Sequence, residues 1–213
     1  MQVISERMIF SGECSNTARY FLHMRRLIDF RNIHAGKAIY VCGLGPSIEG
    51  FDPGWEISIG VNDICRYFCP QYLICVNSHT SFTSERWQYI ERAGSAYIFT
   101  DRNLKVFNPN IVKFRLGLYA GVEWTDYDSL PYTENSPYLA LALAVFMGAK
   151  RIGLIGVDFV DHPNFDSQRT NEAQAQYQRF YDAYKDSVEM FNLSPVSALT
   201  AFPKITVEEF RKR

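Results

Sequence analysis

Four clusters of glycine and small polar residues in this chain have side-chain or backbone groups suited to a ligand, and each follows a short apolar run. They are Gly43-Leu44-Gly45-Pro46-Ser47, Asn62 with Asp63, Asn77-Ser78-His79, and residues 158–162, which begin with Asp158 and end with His162. In the first cluster the glycines let the backbone approach a phosphate or ribose and turn N–H groups toward it, Pro46 stiffens the turn, and Ser47 can donate a hydroxyl hydrogen bond. The same five residues also suit a plain strand-to-helix turn. They lack the third glycine of the dinucleotide fingerprint and the Lys-Ser/Thr of a phosphate-binding P-loop, so the motif supports neither NAD binding nor ATP hydrolysis.

Acid–base chemistry would fall to histidine. His79 and His162 sit in the ligand clusters, where an imidazole titrating near neutral pH can take a proton from a hydroxyl, or can simply help hold a loop. His23 and His34 precede the first apolar run and read as surface or packing residues. Asp158, Asp161 and Asp166 form an acidic stretch that would either hold Mg²⁺ against phosphate oxygens or lie solvated. Arg169 and Arg179 would neutralise a diphosphate or occupy a solvated helix face.

The elements that must position these residues follow from apolar periodicity. Residues 37–42 are a short apolar run ending in the glycine turn, the pattern of a buried strand feeding a ligand loop. Further strands are predicted at 57–61, 72–76, 96–99 and 111–114, with a helix at 81–92. Residues 136–147 start with Ser136 and Pro137, continue almost entirely apolar and close on Gly148, which predicts a buried helix. A central parallel strand is predicted at 151–156, a long helix at 170–191, and a final helix capped by Thr206 with Glu209 completing the capping box. An amphipathic helix is predicted at 15–31. Strands alternating with helices imply a parallel sheet, and such sheets bind ligands at the carboxyl ends of their strands, where all four clusters fall.

Composition bounds the alternatives. The chain has 213 residues, 47% hydrophobic and 21% charged, which suits one folded α/β domain. A net charge of −1 gives no global attraction to nucleic acid or anionic lipid. The five cysteines are odd in number and lack zinc-ligand spacing; Cys65 and Cys69 read as ordinary buried thiols in a reducing compartment. No apolar stretch is long enough to span a bilayer and no signal-peptide core is apparent, so the expected location is cytoplasmic.

Three segments carry a resemblance: GLGPS after the first strand, VND after the second, and NSPYLALALAVFMGAKRIGLIGVDF from Asn135 to Phe159. Together they are similar to the bacterial sialyltransferases of glycosyltransferase family 42 and to their relatives, the archaeal 6-hydroxymethylpterin diphosphokinase-like proteins and the flagellin-modifying motility accessory factors. The resemblance implies a single-domain, Rossmann-like α/β fold, mainly parallel with helices on both faces, over residues 36–213, preceded by a helical extension over 1–35. It implies that Gly43, Gly45 and Ser47 hold a nucleotide phosphate and ribose, with Pro46 in the same turn. Asn62 and Asn77 would contact donor phosphate or base, Asn135 and Ser136 would meet the donor at a helix N-terminus, and Asp158 would bond the ribose or base. The chain departs from that family in having no histidine after His162, no arginine in residues 131–134 and no tyrosine at Val160.

The expected function is therefore transfer of a sugar from a nucleotide-activated donor, a CMP-sugar or similar, to an acceptor hydroxyl on a glycan or modified nucleic acid, with His162 or His79 as base. No metal or other cofactor is expected for it. Two alternatives stand beside it: a diphosphokinase of the hydroxymethylpterin type using Mg²⁺, and a non-catalytic nucleotide-binding protein. A homo-oligomer is compatible with all three.

Overall fold

The computed structural model describes residues 25–160 and 166–213. Its centre is a seven-stranded sheet in which every neighbouring pair is parallel. In chain order the strands are β1 (Ala38–Cys42), β2 (Ser58–Val61), β3 (Tyr72–Ile74), β4 (Tyr97–Thr100), β5 (Ile111–Lys113), β8 (Arg151–Ile155) and β9 (Glu189–Asn192). Two short strands, β6 (Arg115–Tyr119) and β7 (Ser129–Tyr132), pair parallel in a separate ribbon. The helices are α1 (Ser84–Glu91), α2 (Ser136–Phe146), α3 (Ser167–Tyr184) and α4 (Val207–Lys212).

The order across the main sheet is β5-β4-β3-β2-β1-β8-β9. The chain runs outward from β1 to β5 on one side and returns to place β8 and β9 on the other, so the direction of winding reverses between β1 and β8. In open parallel sheets, that reversal leaves a crevice beyond the carboxyl ends of the two strands.

Because strand side chains alternate, each strand serves two cores. Ile39, Val41, Ile59, Val61, Ile152 and Leu154 share one apolar cluster with α2 and with Tyr177 and Phe180 of α3. Tyr40, Cys42, Leu73, Ile98 and Ile155 share the other with Phe210 of α4. Both faces are thus covered, as expected for an all-parallel sheet. Helix α2 is the central beam: ten of its eleven residues are buried, against β1, β2, β3 and β7.

Several boundaries differ from the sequence expectations. The helix expected at 15–31 lies largely outside the described residues; within them Leu27–Phe30 is one 3-10 turn, and Phe30 sets its ring edge-on against Tyr97 and Phe99 in the main core. The helix expected at 81–92 starts at Ser84, because the Thr83 side chain accepts from the Arg86 N–H and caps it there. The helix expected at 170–191 begins earlier, capped by Asp166, and stops at Tyr184. Its predicted tail is β9, in register with β8 through Arg151 and Glu189. Val188 continued the helical stripe in sequence, but the free edge of β8 offers a ladder that Met190 and Phe191 fill with buried side chains. Among the described residues no helix is long and apolar enough to cross a membrane.

Cys65 and Cys69 are not both buried: Cys69 is exposed and Cys65 intermediate. They lie between β2 and β3, and hydrogen bonding from Cys65 holds the Cys69 thiol down at about 6, while the same bond and burial push Cys65 up. Cys69 is therefore more acidic than an ordinary thiol. Its alkylation by iodoacetamide, followed by peptide mass spectrometry, should rise with pH around a midpoint below that of an ordinary thiol, and Cys65→Ala should move that midpoint upward toward the ordinary thiol range.

Candidate functional site

At the reversal point the loops after β1 and β8 cross in direct backbone contact. Gly43 N–H donates to Ile155 O at 2.8 Å and Gly45 N–H to Gly156 O at 2.7 Å. A Cβ on Gly43 would stand 2.2 Å from Gly156 O, and one on Gly45 would stand 2.5 Å from Asp158 Oδ2. Gly156 adds a φ of +70°, the left-handed region that side chains disfavour. The glycines of the GLG turn are thus required first by a second loop of the same chain.

Ser47 and Asp158 lock this crossing. Ser47 N–H donates to Asp158 Oδ2 at 2.7 Å, Ser47 Oγ–H donates to Oδ1 at 2.8 Å, and Ser47 Oγ accepts from Gly156 N–H at 2.8 Å. Asp158 is 2% exposed. Both its oxygens are engaged by Ser47, and Asp166 is engaged as the cap of α3. The two described members of the acidic stretch thereby serve as a tie and a cap.

A cleft of about 440 Å³ opens beside the crossing. It brings together six of the residues expected from sequence: Gly45, Asn62, Asn77, Asn135, Ser136 and Asp158. Gly43 is not in its lining, while Pro46 and Ser47 face a separate cavity of about 930 Å³ between the β1 loop and the start of α4. His79 is exposed and sets its ring edge-on to Trp87 at 4.7 Å, outside the cleft lining. His162 lies outside the described residues. His34 bonds Tyr72 Oη at 2.8 Å beside the amino end of β3, the packing role expected of it.

The amides form a chain across the strand ends. Asn77 Nδ2 donates to Asn62 Oδ1 at 3.3 Å, and Asn62 Nδ2 reaches Ser136 Oγ at 3.5 Å. Asn62 has φ +53°, a conformation asparagine tolerates better than most residues, and this carries it from the end of β2 into the cleft. Asn135 precedes α2, but its side chain does not cap the helix; Oδ1 accepts from the fully buried Tyr177 hydroxyl at 2.8 Å. Pro137 has no N–H and Tyr138 N–H turns back to Asn135 O. Among the described residues the Ser136 N–H has no acceptor, and it stands at the positive end of the α2 dipole beside the cleft.

The sequence reading missed Arg86, Tyr119, Glu134, Glu172 and Gln176, which also line the cleft; Phe159, from the 158–162 cluster, and Arg169, expected either to neutralise a diphosphate or to lie on a solvated helix face, line it too. Those on α1 and α3 looked like solvated helix positions, and only the packing of these helices over the strand ends turns them inward. Phe159, at φ +53°, lays its ring 5.9 Å from Tyr177. No pattern in the sequence signals a left-handed phenylalanine. Arg86 pairs with Asp63 through two bonds, which hold its guanidinium firmly protonated.

No family model matches the chain, and neither does any curated protein. Solved structures do. The fold is similar to that of known glycosyltransferases. The Maf glycosyltransferase from Magnetospirillum magneticum AMB-1 superposes with a TM-score of 0.59 at 14% identity over 84% of this chain, which spans only 37% of that protein's length. The Campylobacter jejuni sialyltransferase CstII, in complex with a trisaccharide acceptor and CMP, gives 0.50 at 16% identity, covering 79% of this chain and 86% of that one. At these identities the likeness is one of fold.

The crossing makes a stability prediction. Gly156→Ala should lower the unfolding free energy by at least about 2 kcal/mol, from the left-handed φ and the clash with Gly43 O. Ser47→Ala, which removes one donor and one acceptor, should cost about 1–3 kcal/mol. Urea denaturation of both variants without ligand checks this; wild-type midpoints would show that the loops do not depend on the tie.

Proposed function

We propose that the chain is a transferase that takes a sugar from a nucleotide-activated donor and passes it to an acceptor hydroxyl. The observation that carries this reading is the convergence, at the winding reversal, of the free Ser136 N–H at the α2 N-terminus with the Asn77–Asn62 amide pair. These groups are neutral, fixed donors in a largely preformed cleft. They suit a phosphate whose charge grows as the sugar leaves, because donors already aimed at the developing charge need no reorganisation. The Maf and CstII folds support the reading, since one is that of a glycosyltransferase and the other that of a sialyltransferase captured with CMP and an acceptor.

In this reading the nucleotide lies over Gly45 with its phosphate toward Ser136, and the acceptor hydroxyl attacks the anomeric carbon directly. As the new C–O bond forms, the bond to the phosphate breaks, the nucleotide leaves with that electron pair, and the hydroxyl proton passes to a base. Among the described residues the carboxylates lining the cleft are those of Glu134, Glu172 and Asp158, and both oxygens of Asp158 are already engaged by Ser47. His162 follows Asp158 by four residues in the sequence.

Thermal unfolding with CMP, UMP, GMP, AMP and their sugar conjugates, with and without Mg²⁺, tests the binding step. A ligand at about one hundred times its dissociation constant adds about 2.7 kcal/mol, or roughly 5–10 °C for a domain of this size. A metal-independent shift with one nucleotide, lost in Asn62→Ala and Asn77→Ala, is the expected result. A shift only with ATP and Mg²⁺ would replace the transferase by a diphosphokinase. Among Glu134→Gln, Glu172→Gln and His162→Asn, the variant that keeps the nucleotide shift but loses donor turnover identifies the base. Binding with no turnover in the wild type would leave a nucleotide-binding protein.

A further inference from the structure

The Asp63 carboxylate is 0% exposed at the end of β2, and a buried carboxylate needs cationic partners. It has two. Arg86 of α1 donates through Nε to Oδ2 at 2.9 Å and through Nη2 to Oδ1 at 2.5 Å, and Arg66 Nε stands 3.7 Å from Oδ2. One negative charge shared by two guanidinium groups leaves this cluster with a net positive charge.

The geometry directs that excess into the cleft. Arg86 lines it with 40% of its side chain exposed, and its guanidinium lies 5.3 Å from the centre of the Phe82 ring, which fixes its plane. A guanidinium has five N–H bonds, of which Asp63 takes two on the Nε–Nη2 edge. The other edge, Nη1 with the second hydrogen of Nη2, has no acceptor among the described residues. This edge matches the spacing of two oxygens on a carboxylate or phosphate.

We propose that Arg86, braced from behind by Asp63, is an oxyanion-binding subsite at the β2 end of the cleft, reading a carboxylate or phosphate group on the ligand. Arg86 enters the cleft from α1 and Ser136 from α2, so the two sets of donors are carried by different helices. The ligand therefore carries a second anionic group, set apart from the one held at the α2 N-terminus. Arg86 acts on specificity: it selects for that group against a neutral hydroxyl.

The test is calorimetric titration of wild type, Arg86→Gln and the double variant Asp63→Asn/Arg86→Gln with inorganic pyrophosphate, with N-acetylneuraminate as a carboxylate probe and with neutral N-acetylmannosamine. The double variant removes both charges, so it separates loss of binding from misfolding, and melting curves confirm that it folds. The wild type should bind one anionic probe at least roughly tenfold more tightly than either variant, the loss of a charge-assisted hydrogen bond, and should not bind the neutral sugar in preference. The probe affected tells phosphate from carboxylate. Equal binding by all three proteins, or no anion binding by the wild type, overturns the subsite. The inference shares its cleft with the transferase reading, yet the two fail separately. Nucleotide stabilisation without an Arg86 effect removes only the subsite, whereas anion binding through Arg86 without nucleotide stabilisation removes only the transferase.

Discussion

The contact between the β1 and β8 loops is the constraint on which the site depends. Two backbones meet at hydrogen-bond distance where any side chain on Gly43, Gly45 or Gly156 would collide, and Ser47 with Asp158 fastens them. That crossing sets how far apart the carboxyl ends of β1 and β8 stand, and hence the width of the crevice between them. With the floor fixed, α2 can present its N-terminus at a constant place, and the amides of β2 and β3 can be aimed at a common point. The residues easiest to read as ligand contacts therefore hold the site together, while groups beside them face the cleft.

The division of labour also shows in the cleft lining, where neutral donors stand beside charged groups. The central donors are amides and a backbone N–H, held by one another and by the buried Tyr177 hydroxyl. Charges enter on helices, Arg86 from α1 and Arg169 and Glu172 from α3, where long side chains span the distance from a packed helix to the strand ends.

Much of this was legible in the sequence. The parallel sheet followed from apolar runs alternating with helical periods, and the buried α2 from an unbroken apolar segment between Ser136-Pro137 and Gly148. The set of strand-end clusters followed from those assignments, and each of the four does bring a residue to the cleft: Gly45, Asn62, Asn77 and Asp158. What was not legible depended on partners distant in the chain. The same stripe suited a helix or a strand at Val188 until β8 was in place to pair with it. Arg86 drew no notice because nothing local announces that Asp63 is buried beside it. The roles of Ser47 and Asp158 as partners were hidden because pairing across 111 residues leaves no local pattern.

That separation has a consequence for the order in which the molecule is made. Strands β1 to β5 can assemble from neighbouring segments as the chain emerges, but β8 must return over the whole intervening sequence to lie beside β1. Such long-range closure is slow, because the loop entropy must be overcome before its contacts compensate. Until β8 arrives, β1 has an open edge and the Gly43–Ser47 turn has nothing to cross. Binding competence therefore emerges only with the last large step of folding, and the half-built sheet, with its exposed β1 edge, is the species most vulnerable to pairing with another chain.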